Sequence, residues 1–340
     1  MKKFLFYITF VALAMYCAEI ISYNDPNILF EPTAYIGYGI LYVFFIHSLI
    51  TRKVTKWSTV YFYGMLVGII TEAFLPKVLF FGWDSSSFTF IGIAWIELFI
   101  LTFFYHPFFS FIVPVFIARK WLNYPFALET KGLTLKIILP VAIVTLFSVG
   151  NAYIEGGGQF PQTLISTIIL VTLIILLKRS GQISDIGLTV TTRKYLFGLA
   201  FLLYGFVFIV GDVPYGGRLP ELGAFIFILI YIASVSILIY RELPEKYDIK
   251  NVQEIQIKTD EVNYKRNIYV EEIIGYIPDL NNIKVVLGAI AFISLVIVGS
   301  LLPLIIAPAI PVVLIVILLA GMIFGCIYFL RCLFRPKVYF

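Results

Sequence analysis

The sequence is poor in charged residues. Aspartate, glutamate, lysine and arginine make up 13% of the 340 residues, whereas a soluble domain carries about 25%. Hydrophobic residues make up 61% of the chain and aromatic residues 17%, and they occur in long uninterrupted runs. A soluble chain of this length would form two domains, but these runs divide the chain into membrane spans instead.

Cysteine and catalytic motifs are also scarce. The three cysteines are Cys17, Cys326 and Cys332. No CxxC or Cys/His spacing appears, so neither a disulfide framework nor a metal site is indicated, and we expect no cofactor. The absence of an aspartate-rich diphosphate motif and of HExxH argues against the best-known membrane enzymes. No basic stripe alternates with exposed aromatics, which argues against nucleic-acid binding.

The long apolar runs predict the fold class. Runs of about eighteen or more apolar residues mark transmembrane helices. The predicted spans are 4–22, 34–50, 58–80, 88–118, 133–152, 161–177, 195–212, 220–240, 284–306 and 310–330. The sequence therefore predicts an all-α integral membrane protein, a polytopic bundle of about ten transmembrane helices with a small cytoplasmic insertion.

Basic residues predict the orientation of the bundle. If the N-terminus is cytoplasmic, every lysine and arginine except Lys77 and Arg218 falls on the inner side, as the positive-inside rule expects. We therefore predict a multi-pass cell-membrane protein with both termini in the cytoplasm. Three regions follow: an eight-span membrane bundle (1–240), a cytoplasmic segment compatible with a β-hairpin (241–283), and a C-terminal transmembrane hairpin with a basic tail (284–340), which we interpret as a structural appendage.

The fourth span is too long for one straight crossing. At about 1.5 Å per residue, 88–118 would reach about 46 Å. It is either one strongly kinked helix or a helix followed by a re-entrant piece. Proline in a helix leaves the carbonyl four residues earlier without a donor, and that carbonyl then needs water, a side chain or an ion. The carbonyls concerned are those of Glu72, before Pro76; Phe103, before Pro107; and Ser110, before Pro114.

Two carboxylates and a histidine lie inside these apolar runs. Glu72 lies about 12 Å, and Glu97 about 13 Å, from the predicted outer ends of consecutive spans, so we expect the two carboxylates at one level on antiparallel helices. Ionisable groups in a membrane mark function by default. We predict Glu72, Glu97 and His106 as catalytic residues, although nine residues of ideal helix place His106 opposite Glu97.

Further polar residues border the same predicted face and are candidates for substrate binding. They are Glu19, Lys77, Trp83, Asp84, Glu155, Asp212 and Arg218. Each candidate also has a structural interpretation. Glu19 and Asp212 are placed as interfacial residues usually are, Glu72 and Glu97 would be protonated carboxyls bonded to neighbouring helices, and His106 would be a buried structural histidine.

Two glycine pairs match the GxxxG pattern, which lets helices approach closely. They are Gly64 with Gly68 in the third predicted span, and Gly321 with Gly325 in the tenth. The pattern predicts tight packing at both places.

Three functions remain open. The first is a membrane-embedded enzyme that acts on a lipid-linked or isoprenoid substrate, with Glu72 and Glu97 as acid and base. The second is a proton- or sodium-coupled secondary transporter, which the lack of alignable halves disfavours. The third is a non-catalytic assembly subunit that works through 241–283. The expected partners are the lipid bilayer and a lipid-linked or small-molecule substrate; protein partners are left open.

One short stretch is similar to a known group of proteins. Glu72, followed by Phe81-Gly82-Trp83 and Ala94-Trp95, resembles membrane carotenoid hydratases and cyclases. The resemblance is confined to residues 72–95, and the intervening residues depart from the pattern. We carry no function across from it.

Overall fold

A computed structural model of the chain describes residues 2–21, 32–83, 87–122, 124–154, 160–181, 187–210, 219–243 and 282–334. The described residues are almost wholly helical. The first part contains α1 Lys2–Met15, the π-helical segment π1 Tyr16–Ile21, α2 Pro32–Thr51, α3 Trp57–Phe74, the short α4 Val78–Phe81, and strands β1 Thr89–Phe90 and β2 Ile93–Ala94. A long helix follows, built from α5 Trp95–Ile100, the π-helical segment π2 Leu101–Ile112 and α6 Val113–Lys120.

The second part of the chain is helical as well. Its elements are α7 Thr134–Ile154, α8 Phe160–Arg179, α9 Val190–Val210, α10 Leu222–Glu242, α11 Asn282–Leu301, the short α12 Pro303–Ile306 and α13 Ala309–Leu333. Within the described ranges, eight helices are long and apolar enough to cross a membrane, and α2 adds a shorter apolar helix, Tyr35–Thr51. α3 occupies the third predicted span. Each predicted span therefore coincides with a helix, and the all-α polytopic membrane fold is confirmed.

Burial distinguishes central from peripheral helices. The most apolar window of the first span, Lys2–Ile21, is 78% buried inside the protein, whereas that of α9 is 11% buried. The span that contains π2 is 72% buried. The first span and π2 therefore lie at the centre of the bundle, and α9 lies at its edge.

The third predicted span, 58–80, is too long. α3 ends at Phe74, because Pro76 has no N–H to donate to the carbonyl four residues earlier, and the helical hydrogen-bond series stops there. Lys77 then adopts a left-handed conformation with φ 55°. Glu72 thus lies in the last turn of α3, where carbonyls lack helical donors in any helix. The Glu72 carbonyl therefore has the status of any carbonyl at a helix end, and Pro76 does not single it out as the sequence suggested.

The fourth predicted span begins too early. Residues 88–94 form a hairpin in which β1 pairs antiparallel with β2. Its two turn residues, Ile91 and Gly92, have φ values of 53° and 66°, as a type I′ turn requires. The Trp95 indole N–H donates to the Phe90 carbonyl at 3.0 Å. From Trp95 to Lys120 the chain is one continuous helix, so of the two alternatives the single helix is correct.

The π-helical geometry of π2 is the feature that sequence reasoning missed in this helix. π-helices are rare and usually one turn long, and they are frequent at functional sites, whereas π2 has 12 residues and contains Pro107. The expectation that Pro107 leaves the Phe103 carbonyl without a donor assumed α-helical bonding; in a π-helix the affected carbonyl is five residues earlier, that of Thr102. The Phe103 carbonyl accepts a hydrogen bond from the Tyr61 hydroxyl at 2.9 Å. A side chain of α3 therefore satisfies it.

Both GxxxG pairs pack against π2, as predicted. On one side, a Cβ added at Gly64 would lie 2.5 Å from Pro107 Cα, and one at Gly68 would lie 2.9 Å from His106 Cβ. On the other side, Gly321 of α13 faces the ring of Phe104, which would be 2.5 Å from an added Cβ, and Gly325 faces the Phe103 carbonyl. The C-terminal hairpin thus packs directly on the central helix.

The segment 241–283, predicted to be cytoplasmic, lies mostly outside the described residues, so both its location and its β-hairpin stay predictions. Its first residues are tied to α3. The Ser58 hydroxyl donates to Glu242 Oε2 at 2.5 Å, and Lys56 Nζ lies 3.9 Å from the same oxygen. This contact joins the start of α3 to the end of α10.

Candidate functional site

The centre of the candidate site is a buried pair between Glu72 and His106. Glu72 is in the last turn of α3, and His106 is in the middle of π2. Glu72 Oε1 lies 2.9 Å from His106 Nε2, and the two side chains are 10% and 2% exposed. The close approach that Gly68 permits brings the imidazole within reach of the carboxylate. Both residues were predicted from sequence, but their pairing was not.

A serine occupies the other nitrogen of the imidazole. His106 Nδ1 lies 3.1 Å from Ser110 Oγ, one turn further along π2. The Tyr42 hydroxyl of α2 is within hydrogen-bonding reach of the same serine. Ser110 is 0% exposed and Tyr42 is 1% exposed. Glu72, His106 and Ser110 therefore form a hydrogen-bonded row between α3 and π2, with Tyr42 of α2 beside it.

Three tyrosines surround the carboxylate. Tyr38 and Tyr42 of α2 and Tyr204 of α9 each interact electrostatically with Glu72. The Tyr204 hydroxyl donates to the Gly37 carbonyl at 2.7 Å, which ties α9 to α2. Glu72 is therefore placed among tyrosine side chains of two other helices.

Glu19 lies near this group of side chains. It is part of π1, and its Oε2 atom is 3.4 Å from the Tyr105 hydroxyl, which donates more closely to the Ala18 carbonyl at 2.7 Å. Glu19 also interacts electrostatically with Tyr38 and Tyr42. The two π-helical segments thus meet beside the candidate site, and Glu19 faces protein rather than only the interface.

Glu97 does not join Glu72. It lies in the first turn of α5, is 3% exposed, and its Oε1 atom is 3.4 Å from the Trp83 N–H. Its Oε2 atom has no hydrogen-bond partner among the described residues. The expectation of two carboxylates at one level is therefore wrong. Because α3 ends before Pro76, the residues beside the Glu97 carboxylate are Gly82 and Trp83 of the following loop, and not the turn of α3 that carries Glu72.

The remaining predicted binding residues are scattered. Lys77 is 1% exposed, and its Nζ atom lies 5.4 Å from the centre of the Phe208 ring. Trp83 is 51% exposed and shares its N–H between Glu97 and the Ser87 hydroxyl. Four predicted residues lie outside the described residues: Asp84, Glu155, Asp212 and Arg218.

A cavity of about 470 Å³ lies on the opposite side of π2. Its lining includes Phe103, Phe104 and Phe108 of π2, together with Tyr61, Pro140 and Gly321, and it does not include Glu72 or His106. The lining is apolar, and the cavity is separate from the candidate site. Among the described residues, no group of three or more histidine, cysteine or acidic side chains has the placement of a metal site.

Sequence reasoning missed the polar residues around the pair. Ser110 follows His106 by four residues, a spacing that places two side chains on one helix face, and this signal could have identified it. No comparable signal distinguishes Tyr38, Tyr42 and Tyr204 among the 22 tyrosines of the chain, because their proximity to Glu72 arises from packing between helices.

Comparison with known proteins agrees with the fold. A protein from Archaeoglobus fulgidus, described as an uncharacterized protein, is 31% identical over 124 residues, which cover 34% of this chain and 38% of that protein. The chain thus matches well under half the length of this relative. No solved structure matches the chain. Residues 8–338 match a family described as "Uncharacterized membrane protein family", and the chain belongs to this family.

Proposed function

We propose that the protein is an intramembrane enzyme in which Glu72 exchanges a proton with a lipid-soluble substrate while His106 holds the carboxylate in place. One observation carries the proposal. His106 engages Oε1 of Glu72 at 2.9 Å, whereas Oε2 makes no hydrogen bond to any described residue, and the side chain remains 10% exposed. One oxygen is fixed and the other is left for a ligand.

The identity of the two groups supports acid–base chemistry. Carboxylates and imidazoles are the side chains that most often serve as general acids and bases. A purely structural buried pair is weak evidence for stability, since an apolar pair of similar volume is often as stable. Glu72 and His106 lie on α3 and π2, and most residues of both segments are buried. A proton-transfer role explains why a polar pair is placed there.

The surroundings support a substrate that partitions into the bilayer. Glu72 lies in a helix that carries no other charged residue, and tyrosines of α2 and α9 interact with it. A strongly hydrated substrate would lose its hydration on entry, at a cost of several kcal/mol for each unpaired polar group. Lipid-linked or isoprenoid molecules avoid that cost. They are the substrate class that this proposal names.

Exchange with heavy water tests the proposal and requires no identified substrate. Purified protein in liposomes is incubated with a lipid extract of its source cells in D₂O, and lipids are compared by mass spectrometry. We expect a lipid species to gain deuterium with the wild type but not with Glu72→Gln, the matched variant that keeps size and shape. If no lipid gains deuterium beyond the level seen with Glu72→Gln, the proposal is wrong.

A second readout separates the enzyme from a transporter. The same liposomes, loaded with a pH-sensitive dye, report proton flux under a sodium gradient or a membrane potential. We expect no flux that depends on Glu72. A Glu72-dependent flux without deuterium gain would favour the ion-coupled transporter instead.

We also propose that the protein resides in the cell membrane with both termini in the cytoplasm. The distribution of lysine and arginine supports this orientation, which places the end of α3 that carries Glu72 towards the outside. Cysteine labelling from each side of the membrane tests it.

A further inference from the structure

We propose that Ser110 is a positioning residue that holds His106 as the neutral imidazole protonated on Nε2, so that the ring donates to Glu72. This inference rests on the proposed function, in which Glu72 is an ionised base. The inference starts from the two contacts of the ring, 2.9 Å from Nε2 to Glu72 and 3.1 Å from Nδ1 to Ser110.

The hydrogen-bonding capacity of each group sets the direction of the row. An ionised carboxylate only accepts, so Nε2 must carry the hydrogen that lies between His106 and Glu72. In the neutral ring Nδ1 is then an acceptor, and the Ser110 hydroxyl donates to it. The Ser110 oxygen still accepts, and the Tyr42 hydroxyl is in reach to donate to it. Every hydrogen in the row is used once, and hydrogen bonds aligned in this way strengthen one another.

Ser110 differs from the helical threonines that bond to backbone. Thr9, Thr102 and Thr167 each donate to the backbone carbonyl four residues earlier, at 2.7 Å, as serine and threonine in helices commonly do. Ser110 instead contacts the side chain of the residue four positions earlier. Since Ser110 is fully buried, no bulk water competes for its hydroxyl. The hydroxyl is therefore committed to the imidazole.

The alternative tautomer leaves a worse arrangement. With the hydrogen on Nδ1, the bare Nε2 would lie 2.9 Å from Glu72 Oε1. Two acceptors would then meet unless the carboxyl were protonated, and a protonated Glu72 is not the base of the proposed function. Ser110 makes this state less favourable still when its hydroxyl hydrogen points to Nδ1. Loss of Ser110 removes that bias and lets the ring turn or change tautomer. Glu72 would then lose its fixed orientation.

The chain contains only two histidines, which makes the tautomer measurable. His47 lies elsewhere, where its Nδ1 atom is 3.3 Å from the Tyr7 hydroxyl and the Leu188 N–H. In a His47→Asn background, ¹⁵N-histidine labelling gives the nitrogen signals of His106 alone. We expect a protonated Nε2 and an unprotonated, hydrogen-bonded Nδ1 in the wild-type site. An Nδ1–H ring, or a doubly protonated ring, would overturn the inference.

Three substitutions separate positioning from general packing. Ser110→Ala should give mixed tautomers and reduce deuterium incorporation about tenfold, the equivalent of one buried hydrogen bond. Ser110→Thr keeps the hydroxyl and should restore the single tautomer. Tyr42→Phe should weaken the Nδ1 hydrogen bond while the Nε2–H is retained. A Ser110→Ala spectrum identical to that of the parent would refute the role of Ser110.

The two proposals can fail separately. If the spectra follow these expectations and no lipid gains deuterium, the positioning by Ser110 stands and the enzymatic proposal is wrong. If Glu72-dependent deuterium gain is found while Ser110→Ala leaves both tautomer and rate unchanged, the positioning role is wrong and the enzymatic proposal stands.

Discussion

Replacement of Gly68 by alanine tests whether the close packing of α3 on π2 places the imidazole. A Cβ at this position would lie 2.9 Å from Cβ and Cδ2 of His106 and 3.0 Å from Cγ. His106 cannot move away freely, since it is 1% exposed and is followed by Pro107, whose Cα faces Gly64 in the same manner. Insertion of a methyl group into such a site costs about 1–3 kcal/mol.

The chain offers a matched control. Gly198 in α9 is also inside a helix, and an added Cβ there would meet nothing within 4 Å. Alanine is favoured over glycine in helices by about 1 kcal/mol, and this gain is common to both variants. Gly68→Ala should therefore be less stable than Gly198→Ala by about 1–3 kcal/mol.

Unfolding by SDS in mixed micelles, followed by circular dichroism, measures this difference. The His106 nitrogen signals give a second readout, because a displaced imidazole loses its hydrogen bond to Glu72. Equal unfolding midpoints for the two variants, together with an unchanged His106 spectrum, would refute the argument that Gly68 sets the position of the ring.

Four other substitutions test the remaining features. Glu72→Ala should destabilise the protein by about 1–3 kcal/mol in the same unfolding assay, since it leaves the buried N–H of His106 without its acceptor; a loss below about 1 kcal/mol would contradict the pair. Glu97→Gln should change deuterium incorporation less than about twofold, and an abolished signal would restore Glu97 to the catalytic group. Tyr61→Phe removes the donor that contacts the Phe103 and Gly325 carbonyls and should cost about 1–3 kcal/mol, whereas a neutral result would mean that water replaces it. Cysteine introduced at position 84 should label from outside and at Ser180 from inside, and the reverse pattern would invert the orientation.

The transmembrane helices were predictable because the bilayer imposes a simple rule. A helix must remain apolar for about twenty residues to cross, and the sequence follows that rule at each span. The errors lie at span ends next to loops of apolar composition. Residues 88–94 read as membrane from hydropathy, yet the Ile91-Gly92 turn folds them into a hairpin. Hydropathy does not distinguish an apolar hairpin from the start of a helix.

The members of the central pair were predictable, but their pairing was not. Glu72 and His106 stand out as ionisable residues in apolar runs. The angular argument that separated His106 from Glu97 assumed an ideal α-helix, whereas most of the intervening chain is π-helical. The partner of His106 is set by the glycines of α3, and the closeness of their packing becomes visible only when both helices are placed.

The glycine contacts on both flanks of π2 decide which part of the bundle is able to move. The backbones of α3 and α13 contact π2 directly at Gly64, Gly68, Gly321 and Gly325. π2 therefore cannot shift sideways towards either of these two helices. α9, by contrast, supplies Tyr204 to the site while most of its surface faces outward. A substrate that enters from the lipid would therefore contact an immobile helix, π2, on the side of His106 and a more mobile helix, α9, on the side of Tyr204. We expect the substrate to reach Glu72 by displacing α9.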